Sequence, residues 1–432
     1  MQDRKRIAIV VLLLAVLALP AFAKPLEVTL LCGPYSPKWP DGYTDTGGFA
    51  SIEQKLIAAY EAETGNKVKV MTLDLSTGST MSIDALVAAG TPPNLYADFA
   101  GRVAKYMVPQ FALDLRGYVK DLDDIIPSVR ELVTKNGAVY ALPGTTWGVA
   151  MCVNDTILEE AGYKLPKDWT IDEFLKAATL IKAKVPGKYA TFLFAENQSS
   201  DQWWMPWFYA FGARVYAPGD YSKTVINTPK GLAAVRFFKL LEDKGYAPPG
   251  AAGLDDDDAL AAWGMGKVAF LGMQVGHTAA MQSAVDQKLL DKPFKFHFAA
   301  FPHAKGEKPT PAAAGPTLYL VHKDKNDAMN KAAARLAWYM SGPEYQKVVA
   351  LGGVGYPTRK SITATSGNPR DEEIAAVMAK NGVCDFGIVT QTFSGVRAQM
   401  FPLLAEMYTG KLAPEAVLPK YEKAVNDILS GK

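Results

Sequence analysis

The sequence predicts an α/β protein of two lobes, each a mixed and mostly parallel sheet flanked by helices. Three observations lead there. Strand-like and helix-like segments alternate from the start of the folded part, the rhythm of βαβ units with both sheet faces covered. The chain has 432 residues, beyond the length at which a single core keeps growing. The stretch Ala314 to Ser361 then adds a glycine-introduced strand, two helices and a glycine loop in close succession. In such a sheet a ligand belongs at the C-terminal ends of the strands.

The first element is not part of the fold. Arg4, Lys5 and Arg6 precede a charge-free run from Ile7 to Leu19, followed by Pro20 and Ala21-Phe22-Ala23. That is the basic, apolar and small-residue order of a secretory signal with cleavage after Ala23. The apolar run is shorter than the roughly 20 residues a membrane span needs. Cys32 stands too far from the cut to carry a lipid. The expected location is therefore the periplasm, in soluble form.

The mature part opens with a strand Val28 to Leu31 and a long loop rich in Pro and Gly. A helix around Ile52 to Glu63 ends at Gly65, a strand covers Val68 to Leu73, and a helix Ser82 to Ala89 ends at Gly90. A strand near Leu95 follows. Glycine just past a helical pattern is a stop signal, because the left-handed conformation there costs it nothing. Further on, Thr170 and Glu173 have the spacing of a capping box, and Asn227-Thr228-Pro229 opens a helix running to Lys244. A strand spans Val268 to Met273, and another Leu318 to Val321. Met329, Ala333, Leu336 and Met340 lie at helical spacing, which predicts a buried Trp338 beside them, and Gly342-Pro343-Glu344 opens the next helix.

Charge and composition exclude several functions. The chain holds 46 Lys and Arg against 44 Asp and Glu; without residues 1–23 the two counts are both 43, so neither nucleic acid nor an anionic surface is indicated. Cys32, Cys152 and Cys384 are too few and scattered for a disulfide framework and are expected as buried free thiols. No G-x-S-x-G, H-E-x-x-H, phosphate loop or C-x-x-C occurs. The four histidines, at 277, 297, 303 and 322, lack metal-ligand spacing, and no cofactor is indicated. Asp255 to Asp258 does not alternate as a calcium loop does; four acids entering a helix also suit its positive end, and both readings stay open. A glycoside hydrolase needs only two carboxylates in an aromatic cleft, so it is the enzymatic alternative.

Several motifs occur in a telling order. The segment 314–361 reads as glycine, strand, helix, S-x-P-E-x-Q (Ser341 to Gln346), helix, then G-G-x-x-x-P-x-R-x-S (Gly352 to Ser361). Upstream stand Leu142-Pro143, Trp147 to Asn154, and Leu158 onward through Ala161-Gly162 to Phe174, and then Trp263 to Phe270. Together these resemble the extracellular solute-binding proteins of carbohydrate ABC importers, the maltose-binding-protein-like family, across essentially the whole mature chain. Val153 in place of the usual Tyr, and the order Asp168-Trp169-Thr170, depart from the pattern. The resemblance implies a binder rather than an enzyme. It implies a two-lobed periplasmic-binding-protein fold with the ligand cleft between lobes, a sugar or oligosaccharide ligand, permease subunits in the inner membrane as partners, and a monomer. Polyamines and metal chelates remain as non-sugar alternatives. By position, lobe one takes 24–145 and 316–345 and lobe two takes 148–312 and 350–432, with crossings near 143–147, 312–315 and 352–356.

A pyranose offers apolar C–H faces and many hydroxyls, so its site needs aromatic platforms and fixed polar groups. Asp201, Gln202, Trp203 and Trp204 form the densest such mixture, where the resemblance implies a sugar-stacking loop before a helix; a buried helix start is the alternative. Trp207 is expected in the core. Asp98 follows the strand at Leu95-Tyr96, with Arg102 one turn on, and is either a ligand contact or a helix cap. Trp147 lies at the first crossing. His277 follows a strand where the resemblance implies an aromatic, and it reads equally as a surface or capping residue. Phe393 matches a cleft aromatic. Trp39 and Tyr43 lie in the long first loop.

Overall fold

The computed structural model describes residues 24–32, 49–72, 83–196, 201–351 and 355–431; the side chains at 32, 49–51, 72 and 201–202 also lie outside that description. The signal segment 1–23 falls outside it, as do Trp39 and Tyr43. Seven strands make one sheet: β1 (Glu27–Cys32), β2 (Lys67–Thr72), β3 (Leu95–Phe99), β4 (Ala141–Asn154), β5 (Phe270–Met273), β6 (Phe296–Ala299) and β7 (Ala313–Val321). Their order is β2-β1-β3-β7-β4-β5, with β6 also on β4.

Helices Phe49–Thr64 and Ile83–Ala88 connect the first three strands. They end where expected, with Gly65 at φ 70° and Gly90 at φ 72°. Crossover helices force parallel pairing, and β1 is parallel to both β2 and β3. The mostly parallel sheet expected from sequence stops there. The pairs β3–β7, β4–β7, β4–β5 and β4–β6 are antiparallel. The strand β7 returns from the far half of the sequence and runs against β3 and β4, while β5 and β6 each run against β4.

The apolar residues gather on two sides of this ribbon. One cluster joins Val28, Leu30, Tyr96 and Leu142 to Leu318, Leu336, Met340 and Val349. A second joins Val149, Phe174, Trp207, Phe237 and Phe270 to Leu404 and Tyr421, with a third beside it around Cys152, Trp203, Trp263 and Phe298. The strand β4 is long enough to serve both sides: Ala141 to Val149 pair with β7, and Ala150 to Asn154 with β5 and β6.

A register shift interrupts β4 between Pro143 and Thr146, which strands the carbonyls of Pro143 and Gly144 in a buried place. An unpaired buried carbonyl is costly, and the S-x-P-E-x-Q and P-x-R motifs supply the donors. The Gln346 amide donates to Pro143 O (3.2 Å), Ser341 O (2.9 Å) and Thr358 Oγ1 (2.9 Å) and accepts from Thr358 N (2.8 Å). The Thr358 hydroxyl donates to Gly144 O (2.5 Å). Arg359, only 2% exposed, donates to Asp121 (2.7 Å), Asp124 (3.5 Å) and Ser341 O (3.3 Å). Tyr356 exchanges backbone hydrogen bonds with Thr146, so a third segment lies on the ribbon at its bulge. Residues 358–361 then stay with the first cluster, through Ile126 N to Thr358 O and Lys360 N to Asp124 O. Tyr356 also packs against the third cluster, and helix Pro369–Asn381 follows with Ile374 within it.

Local expectations fare unevenly. Thr170 accepts from Glu173 N (3.3 Å), but the Glu173 carboxylate turns to Lys176 and Tyr163, so only half of the capping box forms. Thr228 caps helix Pro229–Asp243. Asp255 and Asp258 make the complete box at helix Asp256–Gly264, and among the described residues no cluster of His, Cys, Asp or Glu could hold a metal ion. Cys152 and Cys384 are buried free thiols, as expected. Trp338 is not the core residue its helix predicted. It is half-buried, its indole donates to Asp121 (3.0 Å), and Arg335 lies over its ring at 4.4 Å.

Candidate functional site

The two apolar sides meet where β3 ends and β4 crosses. Asp98 closes β3 with its carboxylate wholly buried. Phe99 N donates to Oδ1 at 2.7 Å, the Tyr96 hydroxyl to Oδ2 at 3.0 Å, and Arg102 Nη1 to Oδ1 at 3.3 Å. Burial raises its pKa, and the Arg102 charge and these hydrogen bonds oppose that without cancelling it. The N-cap of the short helix Ala100–Val103 is Phe99 and not Asp98. In this conformation Asp98 presents no surface to a ligand, whereas the Arg102 side chain is 24% exposed. Asp98 thus orients Arg102, which is the member of the pair that can reach outward.

Beside them stand Phe99, Trp147 and Phe393. The Trp147 ring is half-buried on β4, 5.4 Å from Phe99. Phe393, opening helix Phe393–Arg397, lies 5.7 Å from Phe99 and 5.8 Å from Phe386, with the Arg397 guanidinium 5.5 Å above it. Gly315 lets β7 pass: a Cβ there would sit 2.4 Å from Ile388 and 3.1 Å from both Phe99 and Trp147. Trp147 and Phe393 are therefore brought together, with Phe99 between them. Phe99 escaped the sequence reading, although an aromatic directly after a strand-end Asp was its available signal.

The tryptophan helix, Asp201–Ala210, forms a second group. Asp201 and Gln202 make its first turn. Trp203 packs edge-on against Phe194 at 5.3 Å and stacks on His277 at 6.2 Å with rings 7° from parallel. Trp204 meets Phe208 edge-on, and its indole N–H is buried without a hydrogen-bond partner among the described residues. Trp207 sits among Phe174, Phe237 and Phe301 in the core, as expected. Trp203 is 8% exposed and Trp204 5%, so neither is an open platform in this conformation. Trp204 and Phe393 share the walls of one small cavity with Phe386, Arg397 and Tyr421. His277 is neither free on the surface nor a metal ligand; its Nδ1 accepts a long hydrogen bond from Gln274 N (3.5 Å). Burial pushes its pKa down to about 4 against a smaller upward pull from Asp256.

At this crossing of β4 and β7 stand Phe99, Trp147 and Phe393, beside the buried Asp98 carboxylate and the partly exposed Arg102. The model of the family described as bacterial extracellular solute-binding protein matches residues 43–347, more than half of the chain. The chain belongs to that family. Solved solute-binding proteins share its fold throughout. One from Thermotoga lettingae, bound with alpha-D-tagatose, is 20% identical with a TM-score of 0.74, covering 94% of this chain and all of that one. One from Listeria monocytogenes, in complex with cycloalternan, is 15% identical with a TM-score of 0.75 over 94% of this chain and 100% of that one. The receptor GacH of Streptomyces glaucescens, solved unliganded and with acarbose, is 18% identical with a TM-score of 0.75 over 94% and 99%. Relatives from Brucella abortus and Brucella suis, named as binding proteins, are 25% identical over 264 residues, and the match spans 60% of either chain. This solute-binding protein accordingly has the two-lobed fold of those structures. Among its described residues no helix is long and apolar enough to cross a membrane.

Proposed function

We propose that this solute-binding protein captures a sugar or oligosaccharide between its lobes and delivers it to the permease of an ABC importer. The observation that carries the reading is the aromatic and Arg102-lined junction where β4 and β7 pass from one apolar body to the other. The ligands in the solved relatives, alpha-D-tagatose, cycloalternan and acarbose, give the solute class. Arg102 and Trp147 supply the polar and aromatic contacts reachable from the junction; Trp203, Trp204, His277 and Phe393 shape the wall behind them. Asp201, Gln202, Trp39 and Tyr43 complete the proposed contact set.

In this reading lobe one comprises residues 24–145 and 316–345. Lobe two comprises 148–312 and 350–432. The signal is cleaved after Ala23, the mature protein works in the periplasm as a monomer, and the solute leaves chemically unchanged. Solute bound to one lobe gains contacts from the other, so closure is favoured by the difference in affinity between open and closed states.

The test is a thermal-shift panel of mono- and oligosaccharides with product analysis after long incubation. At a hundredfold excess over Kd, binding stabilises the native state by about 2.7 kcal/mol, a shift of several degrees in a protein of this size. A panel without any shift, or one that yields hydrolysed sugar, would sink the proposal.

A further inference from the structure

We propose that the protein carries, beside its second apolar cluster, a site for a small multivalent oxyanion, in a cavity of about 430 Å³ whose walls hold Arg214, Lys308 and Lys380. The three cations come from three segments. Arg214 follows the turn after helix Asp201–Ala210, Lys308 lies in the loop between β6 and β7, and Lys380 stands in the last turn of helix Pro369–Asn381. All three residues are exposed, and among the described residues no carboxylate pairs with any of them. The acids nearby are engaged elsewhere. Glu307, also in the wall, is bound to Lys230 at 2.6 Å, and the Asp385 carboxylate accepts from the Tyr221 hydroxyl (2.9 Å) and from Gly387 N (3.1 Å). Like charges gathered without counter-charges repel, and an entering anion removes that cost.

The walls are fixed by contacts that leave the charged heads free for a ligand. The Arg214 guanidinium lies over the Tyr209 ring at 4.5 Å, and the Tyr209 hydroxyl donates to Asp385 O (2.7 Å) and accepts from Asp385 N (2.8 Å). Ala304 N donates to Ala210 O, tying the Lys308 loop to the helix that leads to Arg214. Asn381 Nδ2 donates to Thr310 O (3.1 Å), tying the same loop to the helix that ends beside Lys380. Gly212, at φ 77°, makes room for Glu307, since a Cβ there would stand 2.2 Å from its carboxylate. The cavity is thus shaped before a ligand arrives, which lowers the ordering cost of binding. A guanidinium lying flat on a ring keeps its N–H edge for two oxygens of one phosphate or carboxylate, and the two lysines add point charges. The volume is that of a small-molecule site, and the positive lining selects a ligand with two or more negative charges. None of Arg102, Trp147 and Phe393 lines it, so the inference does not rest on the sugar reading.

The experiment is titration calorimetry of the full mature chain at low salt with pyrophosphate, citrate and, as a control, sodium chloride. Pyrophosphate or citrate should bind at one site per chain, the tighter of the two marking a phosphoryl or a carboxylate ligand, and the affinity should fall as salt is added. Arg214→Gln, Lys308→Gln and Lys380→Gln should each weaken binding by about tenfold or more, the size of one charge-assisted hydrogen bond. Lys120→Gln, an exposed position between Val119 and Asp121, should bind as the wild type does. The three wall residues are exposed, so each variant should melt with the wild type when no ligand is present. No heat from either oxyanion at millimolar concentration overturns the site. So does wild-type affinity in all three wall variants, or an equal loss in Lys120→Gln, which would reduce the binding to diffuse attraction by surface charge.

Discussion

His277 makes the packing beside Trp203 sensitive to acid, and the size of the effect follows from the structure. Its ring lies parallel to Trp203 and accepts at Nδ1 from Gln274 N, so the neutral form fits and a proton on Nδ1 would break that bond. Burial holds its pKa at about 4 against the 6.5 of an ordinary imidazole. Between those two pH values the unfolded chain binds a proton that the folded chain refuses. The folded-state pKa is the lower one, so the contribution is intact above pH 6.5 and is lost as pH falls toward 4. The full shift corresponds to about 3 kcal/mol; residual solvent contact at the ring reduces the expectation to about 2 kcal/mol. The control is His277→Asn, whose side-chain oxygen can take the Nδ1 position without titrating. Urea unfolding of both proteins from pH 7.5 to 4 cancels the carboxylates common to the two. The wild type should lose about 2 kcal/mol relative to the variant over that range, and the His277 ring proton should titrate near pH 4 by NMR. Parallel pH curves, or a midpoint near 6.5, would refute the reasoning.

Two further substitutions follow from the same packing. Arg359→Met removes the buried guanidinium from Asp121, Asp124 and Ser341 O; the loss should approach the ~3–5 kcal/mol of a broken buried pair, reduced to about 2–4 because both aspartates keep solvent contact, and a melting temperature within a degree of wild type would contradict it. Trp203→Ala should cost about 3–5 kcal/mol of fold stability, reflecting its contacts with Phe194 and His277; wild-type melting combined with weakened sugar binding would instead make Trp203 the exposed platform its sequence context suggested.

The candidate site was legible only in part. Motif order points to Trp147 and Phe393 separately, and only the structure brings both against Phe99; the spacing of Trp207 from Trp203 and Trp204 assigns it to the core. Asp98 was read as a ligand contact or a cap and is a buried partner of Tyr96, Phe99 and Arg102. Its three partners sit within four residues, but whether a carboxylate faces inward or outward depends on what covers the strand end. Phe99 was missed because its partner, Phe393, lies almost three hundred positions away in sequence.

Signals confined to a few neighbouring residues were readable from sequence: the helix stops at Gly65 and Gly90, the Thr228 cap, the strand at Leu318 to Val321, the two-body size and the family pattern. Each is decided by local conformational preference and by apolar period. The direction of β7 against β3 and β4, the use of Gln346 and Thr358 to satisfy a bulge some two hundred residues upstream, and the meeting of Phe99 with Phe393 were decided by tertiary structure. Those depend on which segments are brought side by side, and a window of sequence holds no information about groups that become neighbours only when the chain has crossed between its lobes.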